Sequence, residues 1–197
     1  MKKSLIVASL LCVSLTSAIA AEANNSWFVG GEFGGMNMKY KTAGSYNGDA
    51  WDYSDSINST YEAIKIGKYF DYGRIYGAVM RQNQKDYFSS WSLGLGYDYL
   101  FKNSSSFSPF IGVNALYTKG KDHYSSAIDN DLDSPKGFSY GAEAGVIYAV
   151  TSHVDLEIGA RYMDSSNVDD SAVNGANHGT FDGKTTLQYY FGVNYKF

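Results

Sequence analysis

The 197-residue sequence predicts an all-β chain, an eight-stranded antiparallel up-and-down transmembrane β-barrel, and three observations lead there. Large apolar residues recur at every second position along stretches of about ten residues, the length a tilted membrane strand needs. Glycine and small polar residues fill the alternate positions. The N-terminus has the build of an export leader, and no later apolar run approaches the ~20 residues of a spanning helix. Composition narrows the class further. Charged residues make up 18%, below the roughly 25% of soluble domains, and aromatics make up 16%, including 18 tyrosines, so disorder and an ordinary cytosolic enzyme are both excluded. With 16 basic against 20 acidic residues there is no excess to neutralise nucleic-acid phosphates, and no nucleic-acid partner is expected.

Residues 1–20 read as a cleaved signal peptide. Lys2 and Lys3 form its basic start, residues 5–15 its apolar centre, and Ala18-Ile19-Ala20 a small-residue cleavage site. Residues 21–197 then form one barrel domain. The single cysteine, Cys12, lies in the leader behind Leu11, where lipid attachment demands a small residue. The mature chain therefore has no disulfide, thiolate nucleophile or thiolate metal site, and no cofactor is expected. Loss of Lys2 and Lys3 makes it more acidic than the formal −4 of the whole sequence.

The clearest strand spans residues 88–102. Trp91, Leu93, Leu95, Tyr97, Tyr99 and Phe101 share one face, with Ser90, Ser92, Gly94, Gly96 and Asp98 on the other. At the C-terminus Leu187, Tyr189, Phe191, Val193, Tyr195 and Phe197 repeat the pattern. A soluble sandwich also alternates, but its solvent face carries Lys, Glu and Thr, whereas glycine weakens a strand unless space is tight. A small barrel with lipid outside and a crowded polar interior accounts for the glycine.

The same test places the remaining strands. The first, residues 27–38, turns Trp27, Val29 and Phe33 outward and Glu32 inward; the second, 60–70, turns Ile64 and Ile66 outward and Lys65 inward, with Lys68 snorkelling at its lower end. The third, 74–84, alternates least cleanly. Tyr76, Ala78 and Met80 are expected outward and Arg81 inward, because an arginine facing lipid near the midplane costs ~2–4 kcal/mol. The fifth, 110–119, follows Pro109 and presents Ile111, Val113, Ala115 and Tyr117 to lipid. The sixth, 138–150, presents Tyr140, Val146 and Tyr148, with Glu143 inside. The seventh, 154–163, presents Leu156, Ile158, Ala160 and Tyr162, with Asp155, Glu157 and Arg161 inside. Connections at 71–73, 103–109 and 151–153 are short or moderate, while 39–59, 120–137 and 164–182 are long. Short turns below and long loops above put both termini on the periplasmic side.

These residues resemble the small eight-stranded outer-membrane barrels, the group that includes OmpX, the membrane part of OmpA and the opacity proteins. Residues 190–197 are similar to the C-terminal signal read by the barrel-assembly machinery, with Tyr190, Gly192, Tyr195 and Phe197 at the matching places. Ala160-Arg161-Tyr162 resembles the Tyr-Arg-Tyr segment of opacity-like barrels, with Ala160 in place of the first aromatic. The resemblance implies the cell outer membrane of a Gram-negative bacterium as location, with the assembly machinery as a partner during biogenesis.

An inward set of Glu32, Lys65, Arg81, Asp98, Glu143, Glu157 and Arg161 reads as a paired polar core, since eight strands enclose a space that side chains fill. A narrow pore is the alternative. Asp129, Asp131 and Asp133 alternate in the third outer loop, but the Gly and the distal Glu of an EF-hand are missing, so a solvated acidic loop is expected. Bridging to lipopolysaccharide through divalent ions is the other use of those carboxylates. His123-Tyr124-Ser125 resembles the His-x-Ser pair of lipid A esterases, yet no acid is placed to orient the histidine and three strands still follow; no enzyme is expected. Outer-loop aromatics such as Tyr46, Trp51 and Tyr53 suit a contact surface. The expected protein is a monomer in contact with outer-membrane lipid and lipopolysaccharide, with a structural or adhesive role toward a host or surface ligand. A small porin passing ions or small solutes is the alternative.

Overall fold

The computed structural model describes residues 25–85, 88–122, 135–174 and 177–197. The expected leader at 1–20, the His123-Tyr124-Ser125 segment and Asp129, Asp131 and Asp133 lie outside the described residues. Nine strands follow in order: β1 (Trp27–Tyr46), β2 (Asp49–Phe70), β3 (Gly73–Lys85), β4 (Phe88–Leu100), β5 (Phe107–Asp122), β6 (Lys136–Ala149), β7 (Val154–Asp164), β8 (Asp169–Asn174) and β9 (Asn177–Lys196). Neighbours pair antiparallel, and β1 bonds to both β2 and β9, so the ladder closes on itself and leaves no edge in the barrel wall. The ring has eight members because β7 and β8 are consecutive pieces of one strand: β9 pairs first with β7, up to Asp164↔Thr185, and then with β8, from Asp169↔Asp182.

The interruption between β7 and β8 is a small inward tuck. Ser165 N donates to Lys184 O, Val168 N to Ser165 O and Gly183 N to Val168 O, each at 2.9 Å. Val168 is thereby buried, 1% exposed, inside the upper barrel. Gly137 on β6 makes room for the tuck, since any side chain there would run into the Asn167 carbonyl.

The distribution of polarity is that of a membrane barrel. Leu93 and Leu95 are 64% and 68% exposed, whereas Arg74 and Asp98 are fully buried. The apolar band belongs against lipid. Among the described residues no helix is long and apolar enough to cross a membrane, and the crossing is made by strands.

Two sequence expectations are corrected. Residues 39–59 and 164–182 are largely strand, because β1 and β2 continue in unbroken register from Trp27↔Lys68 to Tyr46↔Asp49, and β8 and β9 form a second raised ribbon. Asn47 and Gly48, with φ of 52° and 90°, make the two-residue turn at the first tip. Both central residues at positive φ are what the right-handed twist of a tight hairpin requires, and Asn-Gly is its strongest sequence sign. The facing of β3 is also reversed. Tyr76, Ala78 and Met80 are buried inside, while Ile75 and Val79 face lipid. Period alone could not decide a strand that is apolar on both sides; the cross-strand pairing of Arg74 with Asp98 settles it.

The turn yields a test. Gly48→Val places a β-branched residue at positive φ and costs about 1–2 kcal/mol locally. Amides of residues 43–52 should then exchange about five- to thirtyfold faster, while the exchange of β3 to β7 stays unchanged.

Candidate functional site

The barrel interior gathers charge from seven strands. Lys65 Nζ lies 2.7 Å from Glu157 Oε1 and 3.1 Å from Glu32 Oε2. Arg74 donates from Nε to Asp98 Oδ2 and from Nη1 to Glu157 Oε2, both at 2.6 Å. Arg161 Nη2 is 2.9 Å from Glu143 Oε2, and its Nη1 donates to Glu32 Oε1 at 3.2 Å and to Gln188 Oε1 at 2.8 Å. Nearer the periplasmic end, Lys196 Nζ donates to Asp155 Oδ1 at 2.8 Å. Every one of these side chains is buried. In so dry a place a charge persists only when paired, and each carboxylate here has a cation against it.

Tyrosines and glycines complete the packing. Tyr61 donates to Glu32 at 2.6 Å, Tyr190 to Glu143 at 3.0 Å, Tyr69 to Asp155 at 3.1 Å, and Tyr76 also donates to Glu143. The Tyr76 ring occupies the space a side chain at Gly96 would fill, and the Tyr190 ring does the same at Gly159. The alternating glycines are therefore sockets for rings reaching across the bore. The Arg74 guanidinium sits 5.1–5.9 Å from the ring centres of Phe28, Tyr69, Tyr76 and Phe110, within cation–π range.

Of the residues expected inside, Glu32, Lys65, Asp98, Glu143, Glu157 and Arg161 are placed together. Arg81 is not. It faces outward, half exposed, 3.8 Å from Glu62 and 5.6 Å from the Trp91 ring centre. Depth explains the correction: Arg81 lies near the upper end of β3, and an outward arginine near the interface costs only ~0–1 kcal/mol. Arg74 takes the inward role assigned to it. Asp155, expected inside on the seventh strand, is buried there and receives Lys196; Arg74 is the inward charge that the sequence reading lacks, although the parity of Ile75 and Val79 turns it inward. Tyr190 and Gly192, expected in the assembly signal, face the interior, whereas Tyr195 and Phe197 face outward. Phe197 closes the ring by a backbone bond, its N donating to Trp27 O at 2.9 Å.

Above the ion pairs the bore is filled by Met36, Met38, Met80 and Met163, with Gln82 and Gln188 among them. Two internal spaces measure about 30 Å³ and 10 Å³, room for about two waters and about one. At the top, Phe181 stacks on Tyr40 at 5.2 Å and on Phe88 at 6.1 Å. Above that rise the β1–β2 and β8–β9 ribbons, carrying Trp51 and Tyr53 with ring centres 5.9 Å apart. Asp52 lies 2.8 Å from Lys41 and raises the lysine's pKa by hydrogen bonding and charge. Among the described residues no three His, Cys, Asp or Glu side chains converge as metal ligands.

Residues 60–191 match the family model described as Opacity family porin protein. No curated protein matches the sequence significantly. Among solved structures, Neisserial surface protein A is similar at 20% identity and a TM-score of 0.60, over 87% of this chain and 97% of that one. The outer membrane protein AlkL is similar at 13% identity and a TM-score of 0.55, over 93% and 95%. The N-terminal barrel domain of Pseudomonas aeruginosa OprF is similar at 11% identity and a TM-score of 0.52, over 82% and 97%. At such identities the likeness is one of fold.

The facing of β3 is directly testable. Arg74→Met strands Asp98 and part of Glu157 and should cost about 3–5 kcal/mol, whereas Arg81→Met should cost less than about 1 kcal/mol. Reversible urea unfolding in lipid vesicles measures both.

Proposed function

The chain belongs to the opacity family of outer-membrane porin proteins, and from that premise we propose that it is a non-conducting, non-catalytic surface protein whose raised ribbons adhere to an extracellular ligand. The filled bore supports this reading. Ion pairs span the interior below, methionines pack above them, and stacked rings close the top. Among the described residues, what the fold holds out to the exterior is two hydrogen-bonded ribbons joined by β1–β9 pairing up to Ser45↔His178. Tyr and Trp on such a scaffold bring large contact area with little conformational freedom to lose, which is how aromatic residues come to dominate binding surfaces.

The porin alternative requires a solute to separate Arg161 from Glu143 and Lys65 from Glu157 during each passage. Leaving either charge unpaired costs several kcal/mol, which favours the adhesive reading over the conducting one.

Two measurements test the proposal together. In planar bilayers the refolded mature chain should show no discrete openings at physiological salt. A non-adherent bacterial strain displaying the chain should bind cultured epithelial cells more than the same strain displaying Trp51→Ser/Tyr53→Ser. Loss of those two rings should reduce adherence about tenfold, the scale of a hot-spot pair. Reproducible openings, or adherence unchanged by the substitutions, contradict the proposal.

A further inference from the structure

The outward face of β5 and β6 carries a charge arrangement that no ion pair among the described residues balances. Lys119 and Lys136 are direct cross-strand partners, so their side chains start about 5 Å apart. Like charges in that position destabilise a sheet. Lys121 lies two residues further along the same face, and the row continues through Trp91 to Arg81. Among the described residues no carboxylate lies within ion-pair distance of Lys119, Lys121 or Lys136. Asp169, which pairs with Lys136 in register, makes no such contact. Two other lysines of the outer face do find carboxylates: Lys41 pairs with Asp52 and Lys184 with Asp182. Three lysines on one face without an ion pair among the described residues stand out on a protein of net negative charge.

Directly beneath the patch the surface becomes apolar. Tyr117 and Phe138 pack edge to face with ring centres 5.0 Å apart. Below them runs a groove of about 670 Å³. Its floor is made by Ala142 and Ala144, and its walls by Tyr97, Tyr99, Val113 and Tyr162. Ala142 is six residues below Lys136 on β6, which at ~3.3 Å per residue and a tilt of about 40° is a vertical drop of roughly 15 Å. That is close to the thickness of one hydrocarbon leaflet, about half of a ~25 Å apolar band.

We propose that this face seats one molecule of a phosphorylated, multiply acylated lipid of the outer leaflet. An acyl chain lies in the Ala142–Ala144 groove, the glucosamine-like headgroup rests on Tyr117 and Phe138, and a phosphate bridges Lys119 and Lys136. The phosphate turns the like-charged lysine pair from a liability into a clamp, and the alanines admit a chain that larger residues would push away. The seat does not rest on the adhesive reading, because it lies on the flank of the barrel, below the ribbons.

Native mass spectrometry of the refolded mature chain in detergent, with diphosphorylated lipid A as the added probe, tests the seat. One lipid A should be retained per protein, with weaker retention of the monophosphorylated form and of phosphatidylethanolamine. Lys119→Gln/Lys136→Gln should weaken retention about tenfold or more, and Ala142→Trp, which fills the groove, should weaken it comparably. Lys41→Gln/Lys184→Gln, with the same change of charge on other strands, should leave it within about twofold of the starting protein. Heat-modifiable gel mobility verifies that each variant is folded. If the β5–β6 lysine variant retains lipid A as well as the unsubstituted chain, the patch is neutralised from within and the proposal fails. Equal loss in both lysine variants overturns it as well, by reducing the effect to net charge.

Discussion

A bore about one side chain wide imposes the condition on which the rest of this structure depends: a charge pointing inward must meet its opposite from another wall. Lys65 reaches Glu157 from a strand 92 residues away in sequence, and Arg161 reaches Glu32 across 129. Such contacts exist only when all eight strands hold their register. Slipping one strand by a single residue would turn its whole set of side chains over, sending arginine and glutamate into lipid and tyrosine and leucine inside. The interior ion pairs thus act as a lock on the closed ring, and the glycine sockets let the lock close by making room for Tyr76 and Tyr190.

Outside the membrane the constraint changes. Lipid no longer demands an apolar outer face, and water satisfies the outer sides of the strands, yet β1–β2 and β8–β9 remain paired. Their order comes from the β1–β9 ladder that joins them up to Ser45↔His178, from the Asn47-Gly48 turn at one tip and from Phe181, which stacks between Tyr40 and Phe88 where the ribbons leave the barrel. A rigid platform above a packed bore is a different product from a flexible loop above an open one. It suits binding better than transport, because little ordering remains to be done when a partner arrives.

Much of this was legible in the sequence. Within the membrane the period-two pattern is enforced by lipid on one side and crowding on the other, so the facing of β1, β2, β4 to β7 and the C-terminal half of β9 could be read directly. So could seven of the inward charges, Asp155 among them. β3 resisted because Tyr76, Ala78 and Met80 are apolar residues that serve the interior, one through its hydroxyl and two as filler, and its charged end groups point opposite ways: Arg74 in, Arg81 out. Depth along the strand, which periodicity does not report, decides the fate of Arg81. The raised ribbons resisted for a related reason, since strands in water need no hydrophobic alternation; the local signs of them were the sequence pairs Asn47-Gly48 and Asn174-Gly175. The partners of each charge were beyond reach, because they depend on register between strands distant in sequence.

The central claim is that the interior charges form one interdependent network rather than a set of separately hydrated groups. A double-mutant cycle between Lys65 and Glu157 tests it most directly, with Lys65→Met, Glu157→Gln and the pair compared by reversible urea unfolding in lipid vesicles. Interdependence predicts a coupling energy of about 1–3 kcal/mol. Additivity of the two substitutions within about 0.5 kcal/mol would contradict it, and with it the account of a bore closed by its own ion pairs.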